Sequence, residues 1–191
     1  MTYDQTMPPQ VLAFDVFGTV VDWHGSVARE VNALYPGVDG DAFALAWRAG
    51  YQPAMRRVMS GELGWTLIDD LHRMILDELL PRFGLGDLAE AERAGLPWDC
   101  ILSAEVFRAY KPDPATYLGV ARVFDLNPSQ VMLVAAHQDD LAAARACGLQ
   151  TAYIERPAEF GLNNSKDVSP HPANTLHARD FLNLADQLGC P

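Results

Sequence analysis

The sequence predicts an α/β fold, a parallel sheet whose first strand is separated from the others by a helical insert. Three observations carry that prediction. Val11–Phe14 and Val131–Ala135 are short apolar runs without alternation, the pattern of strands buried on both faces of a parallel sheet. Ser26 to Gly86 carries apolar residues at helical spacing and no strand pattern. From Asp99 onward, strand-like runs and helical segments alternate, as in a parallel sheet with covering helices.

Taken in order, the first strand ends at Asp15, because an aspartate is a poor residue for a strand interior or a core. It is followed by a turn at Gly18 and Thr19. Ser26 is expected to cap a helix through Val27, Val31 and Leu34 that stops at Pro36-Gly37. A second helix spans Asp39 to Met59 with Pro53 inside it, and a third runs from about Thr66 to Phe83. Its Leu67, Leu71, Met74, Ile75 and Leu79 fall on one face, opposite Asp69, Asp70, Arg73, Asp77 and Glu78. Cys100 to Ser103 reads as a short strand, and Asp113-Pro114 as the N-cap and first residue of a helix to Phe124. After Val131–Ala135, a helix over Leu141 to Cys147 with Asp139 as its cap stops at Gly148. Thr151 to Ile154 reads as the last strand, and Ala178 to Leu188 as a final amphipathic segment. The division expected is a core of residues 1–24 and 94–191 and a helical domain of residues 25–93.

Composition excludes several functions. A formal charge of -11 leaves no clustered Lys and Arg for a nucleic-acid surface or a polybasic membrane anchor. No stretch approaches the roughly 20 apolar residues of a membrane span, and the first ten residues lack the pattern of a signal peptide. Cys100, Cys147 and Cys190 have no paired spacing, so neither a disulfide framework nor a zinc site is expected, and a reduced, cytoplasmic protein is the simplest reading.

The polar residues of interest follow strands, where open α/β sheets bind their ligands. Asp15 follows the first strand, Lys111 the second, and His137, Asp139 and Asp140 the third. A lysine close to Asp15 favours its charged form, which makes it available as a nucleophile or a ligand. Attack on an electrophilic carbon or phosphorus would give an ester-like intermediate for water to cleave. Asp140 can then hold Lys111 or orient that water.

FDVFGT, YKPDPATY and VAAHQDDLAAARACGL with the downstream TAYIERP resemble, in order, the motifs of the haloacid dehalogenase superfamily, and specifically its 2-haloacid dehalogenase branch. The resemblance runs from Val11 to about Gly161. It implies a Rossmann-like core with a helical cap inserted after the first strand. It also implies cofactor-free, metal-free hydrolysis of a 2-haloalkanoic acid to the 2-hydroxy acid, and a homodimer by analogy. Asp15 then resembles the nucleophile, Thr19 the hydroxyl that steadies it, and Arg48 the group that receives the halide and draws in the anionic substrate. Lys111 and Tyr117 resemble the motif lysine and tyrosine, and Asp140 the carboxylate that positions lysine and water. Ala135 and His137 stand where relatives often have Ser and Asn. Phosphatase branches are the rival reading, but they carry a second Asp where this chain has Phe17 and an acidic residue where it has Ala136. A hydrophobic Phe17 suits a carbon-halogen substrate. Between Phe83 and Leu102 no apolar strand and no Ser/Thr-Asn pair is found, so a strand-helix unit on the order of 30 residues is expected to be missing. An inactive, truncated member of the family is therefore a third reading.

Overall fold

Four short strands build one sheet: β1 (Val11–Phe14), β2 (Val131–Ala135), β3 (Gln150–Ile154) and β4 (Leu176–Ala178). They lie side by side in that order, and every adjacent pair is parallel. The computed structural model describes residues 8–85 and 104–189. The chain divides into two units, one running through Trp23 and resuming at Lys111, the other spanning His24–Tyr110.

In the sheet unit, β2 and β3 are buried along their whole length. Val131, Leu133 and Ala135 face Tyr117 and Ala121 of α5 (Pro114–Val123) and Leu141 and Ala144 of α6 (Gln138–Ala146). Met132 and Val134 face the other way, toward Leu184 of α7 (Phe181–Leu188) and Ala178. Alternate residues thus meet helices on both faces, which is why these strands have no polar side. β1 departs from the expectation of burial on both faces. Val11, Leu12 and Ala13 are half-buried and Phe14 is exposed, because among the described residues β1 has a strand on one side only. Phe14 is covered in part by an edge-on contact with Phe181, ring centres 5.6 Å apart.

Asp113 caps α5 as expected, its side chain accepting from Ala115 N at 2.8 Å, with Pro114 as first helical residue. In this unit the sequence reading differs from the structure at the start of α6 and at the last strand. α6 starts at Gln138 with His137 in the cap position, not Asp139. The two aspartates sit inside the first turn, where negative charge favours the helix dipole. Thr151–Ile154 is not the last strand. β4 follows it, three residues long with polar His177 at its centre, too short for its alternation to stand out.

The helical unit is built from α1 (Trp23–Leu34), α2 (Gly40–Met59), α3 (Ile68–Leu79), a 3-10 turn at Leu80–Phe83 and the short α4 (Ala104–Phe107). α1 starts at Trp23, so Ser26 lies inside the helix and not at its cap. Ser26 instead accepts from Arg29 inside the helix. α3 is shorter than predicted at both ends, its last turn tightening into the 3-10 segment at Pro81. Asp39 caps α2, its side chain accepting from Ala42 N at 3.0 Å. Val31, Phe43, Leu79 and Leu80 form one buried cluster. Ala54, Met55, Val58, Leu71, Ile75 and Tyr110 form another. Gly50 lets α2 and α3 meet, since a Cβ there would come within 2.5 Å of Ile75 Cγ2. Among the tryptophans, Trp65 stacks on Tyr110 at 5.1 Å and Trp47 packs edge-on against Phe43.

The expected strand at Cys100–Ser103, the stretch expected to lack a strand-helix unit, Trp98, Cys100 and Cys190 lie outside the described residues, apart from the start of that stretch at Gly84 and Leu85. No helix of the described residues is long and apolar enough to cross a membrane.

Candidate active site

β1 delivers Asp15 to the carboxyl edge of the sheet, and its amide still donates to Val134 O at 2.9 Å, so the strand fixes the residue's backbone. The chain then turns sharply through Gly18, whose φ of +84° lies in the left-handed region. A Cβ at Gly18 would also sit 2.1 Å from Glu159 Oε1. Glycine is therefore required twice over, by the turn and by the carboxylate packed against it.

The turn places Thr19, fully buried, so that its hydroxyl donates to Asp15 Oδ2 at 2.8 Å. The same oxygen of Thr19 accepts from Ala136 N at 2.8 Å, which fixes the direction of the hydroxyl proton toward the carboxylate. Arg156 holds the turn from behind, donating from Nε to Thr19 O at 2.8 Å.

Lys111 lies two residues before the α5 cap, at a cis Lys111–Pro112 peptide. Its Nζ donates to Asp15 Oδ1 at 2.9 Å and to Asp140 Oδ2 at 2.6 Å. The other oxygen of Asp140 accepts from the Tyr117 hydroxyl at 2.7 Å, while the Tyr117 ring is buried in the core of the sheet. Asp140 thus holds both the lysine and the tyrosine.

His137, at the start of α6, lies between two carboxylates. Nδ1 is 3.2 Å from Asp15 Oδ2, and Nε2 is 2.7 Å from Glu159 Oε1. Glu159 is buried, its side chain 1% exposed, and it also pairs with Lys166, whose Nζ donates to Ala136 O. The result is a chain of alternating charge in the order Asp140, Lys111, Asp15, His137, Glu159, Lys166.

Electrostatics follow from this order. Burial works to raise the Asp15 carboxyl, but the hydrogen bond to His137 and the charge of Lys111 outweigh it and hold the group well below the usual carboxylate range. Burial works to lower His137, yet its bonds to Asp15 and Glu159 push it up to about 9. Burial works against the Lys111 ammonium, and Asp15 and Asp140 override it and raise its pKa. Burial and the neighbouring Asp140 push the Tyr117 hydroxyl up, so it serves as a donor. Burial would raise Glu159, but His137 and Lys166 keep it low. At neutral pH the site therefore holds an ionised Asp15 between an ammonium and an imidazolium.

Of the residues singled out in the sequence, Asp15, Thr19, Lys111, Tyr117, His137 and Asp140 come together. Phe17, two residues beyond Asp15, is 38% exposed at the same turn. Arg48 belongs to the helical unit, where its guanidinium lies 5.0 Å from the Tyr51 ring centre. Glu159, Lys166 and Arg156 were not singled out. They stand in the loop after β3, in a stretch rich in Pro and Asn that reads as surface. The rule that sites gather after parallel strands, applied to β3 as to the others, points at Glu159.

The carboxylate itself is asymmetric. Among the described residues, Oδ2 receives Thr19 and His137, while Oδ1 receives Lys111 alone and keeps a lone pair for an incoming electrophile.

Comparisons with known proteins agree with this arrangement. No protein-family model matches the chain. The crystal structure of the L-2-haloacid dehalogenase PA0810 superposes with a TM-score of 0.84 at 37% identity, covering 94% of this chain and 99% of that one. The (S)-2-haloacid dehalogenase 4A of Burkholderia cepacia is 25% identical over 85% of this chain and 90% of its own length. Phosphoglycolate phosphatase 1 of Pseudomonas aeruginosa is 24% identical over 65% of this chain, and the match spans only 45% of that relative. At 37% identity over nearly the whole of both chains, with the alternating charges assembled around Asp15, this protein belongs to the L-2-haloacid dehalogenases of the haloacid dehalogenase superfamily.

Proposed function

We propose that this protein hydrolyses an L-2-haloalkanoic acid to the 2-hydroxy acid and halide through an ester on Asp15. The observation that carries the reading is the Asp15 carboxylate held between Lys111 and His137, its Oδ1 having Lys111 as its one donor among the described residues and so a lone pair to spare. Oδ1 forms a bond to the substrate's second carbon as the carbon-halogen bond breaks, and the halide leaves with the bonding electrons. Water then adds to the Asp15 carboxyl carbon, and the carbonyl electron pair moves onto Oδ2. Collapse breaks the bond between the carboxyl carbon and Oδ1, releasing the hydroxy acid with one of the water's protons. The other proton goes to solvent, and Asp15 is an ionised carboxylate again.

Within this proposal Lys111 neutralises Oδ1 before attack, and Asp140 keeps the lysine in place with help from Tyr117. Thr19 holds Oδ2. Phe17 offers the substrate an apolar contact, and Arg48 is assigned to the leaving halide and the anionic substrate, as the family resemblance implies. A sheet-bearing core, a helical cap inserted after the first strand, a cytoplasmic location and a homodimer belong to the same proposal. The phosphatase reading is the weaker one. The Phe17 side chain supplies no general acid and the Ala136 side chain no carboxylate ligand, both of which metal-assisted phosphoryl transfer on this fold would need.

The test is halide release from (S)-2-chloropropionate without added metal, by wild type and by Asp15→Asn. Wild type is expected to release halide and 2-hydroxy acid in equal amounts, and Asp15→Asn neither. A folded wild type that releases no halide would end this reading.

A further inference from the structure

Two carboxylates share one histidine in this site, and only one of them is consumed by the chemistry. That inequality, which rests on the reaction proposed above, gives Glu159 a role. Before attack, His137 faces Asp15 through Nδ1 and Glu159 through Nε2, so both ring nitrogens carry protons. Once Asp15 is esterified it is neutral, and Oδ2 has become the carbonyl oxygen of the ester. An imidazole with no other anion beside it would then give up its proton under neutral conditions. Glu159 prevents this. Its side chain is 1% exposed, so its charge acts through protein rather than water, and Lys166 offsets the cost of burying it.

We propose that Glu159, held by Lys166, is a positioning residue that keeps His137 an imidazolium through the ester stage. His137 Nδ1–H and the Thr19 hydroxyl then form the cradle for the negative charge that develops on Oδ2 when water adds. Three features of the geometry support this assignment. Both donors already converge on Oδ2, at 2.8 Å from Thr19 and 3.2 Å from His137. Thr19 cannot turn its proton elsewhere, because Ala136 N–H occupies its acceptor side. Gly18 leaves room for the Glu159 carboxylate against the nucleophile turn, where any Cβ would collide with it. Preorganised donors aimed at the oxygen that becomes charged are the usual source of rate in acyl hydrolysis.

Among the described residues, the charged groups around His137 are Asp15 with Lys111 beyond it, Glu159 with Lys166 and Arg156 beyond it, and Asp139 and Asp140 in the first turn of its own helix. Of these, only Asp15 changes charge during turnover. The imidazolium of the ester form therefore depends on Glu159 more than that of the resting enzyme does.

The test is rapid-quench kinetics with (S)-2-chloropropionate, following halide, hydroxy acid and the mass of the intact protein, from pH 6 to 10 or thereabouts. Wild type is measured first. If it releases no halide, the function proposed above fails, whereas the role of Glu159 is judged only against an active wild type. In Glu159→Gln the first, near-stoichiometric halide burst is expected to survive. Ester hydrolysis is expected to slow by about 10- to 100-fold, so that the adduct mass accumulates. The alkaline limb of ester hydrolysis is expected to move down by about 1–3 pH units, as for loss of one adjacent opposite charge, with Glu159→Asp restoring part of it. Equal slowing of burst and hydrolysis, or an unmoved limb, would overturn the proposal. So would ester hydrolysis that rises with pH through the imidazole titration, since that would make His137 a base. Should Glu159→Gln not fold, His137→Asn decides the matter. Its neutral amide donor is expected to abolish the alkaline limb, and a limb that persists would overturn the assignment.

Discussion

Two cations hold Asp15, and they are built in different ways. Lys111 reaches Oδ1 from the segment before α5 and is itself held by Asp140 and Tyr117. His137 reaches Oδ2 from the first residue outside α6 and is held by a buried glutamate and a lysine from the loop after β3. The lysine is a permanent charge over the working range. The histidine is a cation only because of its neighbours. His137 and Lys111 together keep Asp15 ionised on the acidic side of activity, while only His137, whose charge depends on its neighbours, sets the alkaline side.

The largest effect that would break this comparison is expected at Lys111. In Lys111→Met the Oδ1 oxygen loses its only donor among the described residues, and Asp140 is left beside Asp15 without the cation that bridges them. The rate of the halide burst is expected to fall by about 10²- to 10³-fold, the cost of removing one preorganised donor. Because Asp15 owes part of its low pKa to Lys111, the acid limb should move up toward the ordinary carboxylate range. An acid limb left in place would mean that His137 alone keeps Asp15 ionised, and the two cations would not share that task as argued.

The two sides also differ in how they were written in the sequence. The lysine side was legible because each residue belongs to a recognisable local pattern. Asp113-Pro114 announces a helix start, Lys111 sits just before it, and Asp140 follows a short unbroken apolar run that reads as a buried strand. The histidine side was legible only at His137 itself. Glu159 and Lys166 lie in an irregular loop, where no periodicity says that a carboxylate is buried. Their partner in the turn, Gly18, reads as an ordinary turn glycine until the carboxylate is seen packed against it. The strands show the same limit. β2 is unmistakable from five apolar residues buried on both faces, whereas β4 is three residues of mixed polarity whose pairing depends on β3. Pairing between distant segments, not local preference, decides such elements.

A second prediction sharpens the contrast through stability. His137 has a folded-state pKa raised from 6.5 to about 9, so between those values the folded protein binds more protons than the unfolded chain. The stabilisation is fully present below about pH 6.5 and is lost as pH rises through about 9, a total on the order of 3 kcal/mol at most. Denaturant unfolding at a series of pH values is expected to show this decline in wild type and to lose most of it in His137→Asn. Lys111, whose pKa is raised, adds no slope in that window, because its ammonium is charged in both states there. A wild-type profile that stays flat from pH 6.5 to 9 would show that the imidazole is not held as a cation.

The smallest expected effect separates support from chemistry on the lysine side. Tyr117 is 2% exposed, and its hydroxyl donates to Asp140 Oδ1 at 2.7 Å. Tyr117→Phe keeps the ring in the core and removes only that donor, leaving one oxygen of a nearly buried carboxylate short of a partner. Unfolding is expected to become easier by about 1–2 kcal/mol, the range for losing a hydrogen bond to a charged acceptor. Activity should fall less than about 10-fold, since Lys111 still bridges Asp140 and Asp15. Measured together, the two numbers place Tyr117. A stability loss with nearly intact turnover makes it a brace for Asp140. A large loss of kcat with unchanged stability would instead put its hydroxyl in contact with the reacting groups, and the lysine side would then contain a second working donor.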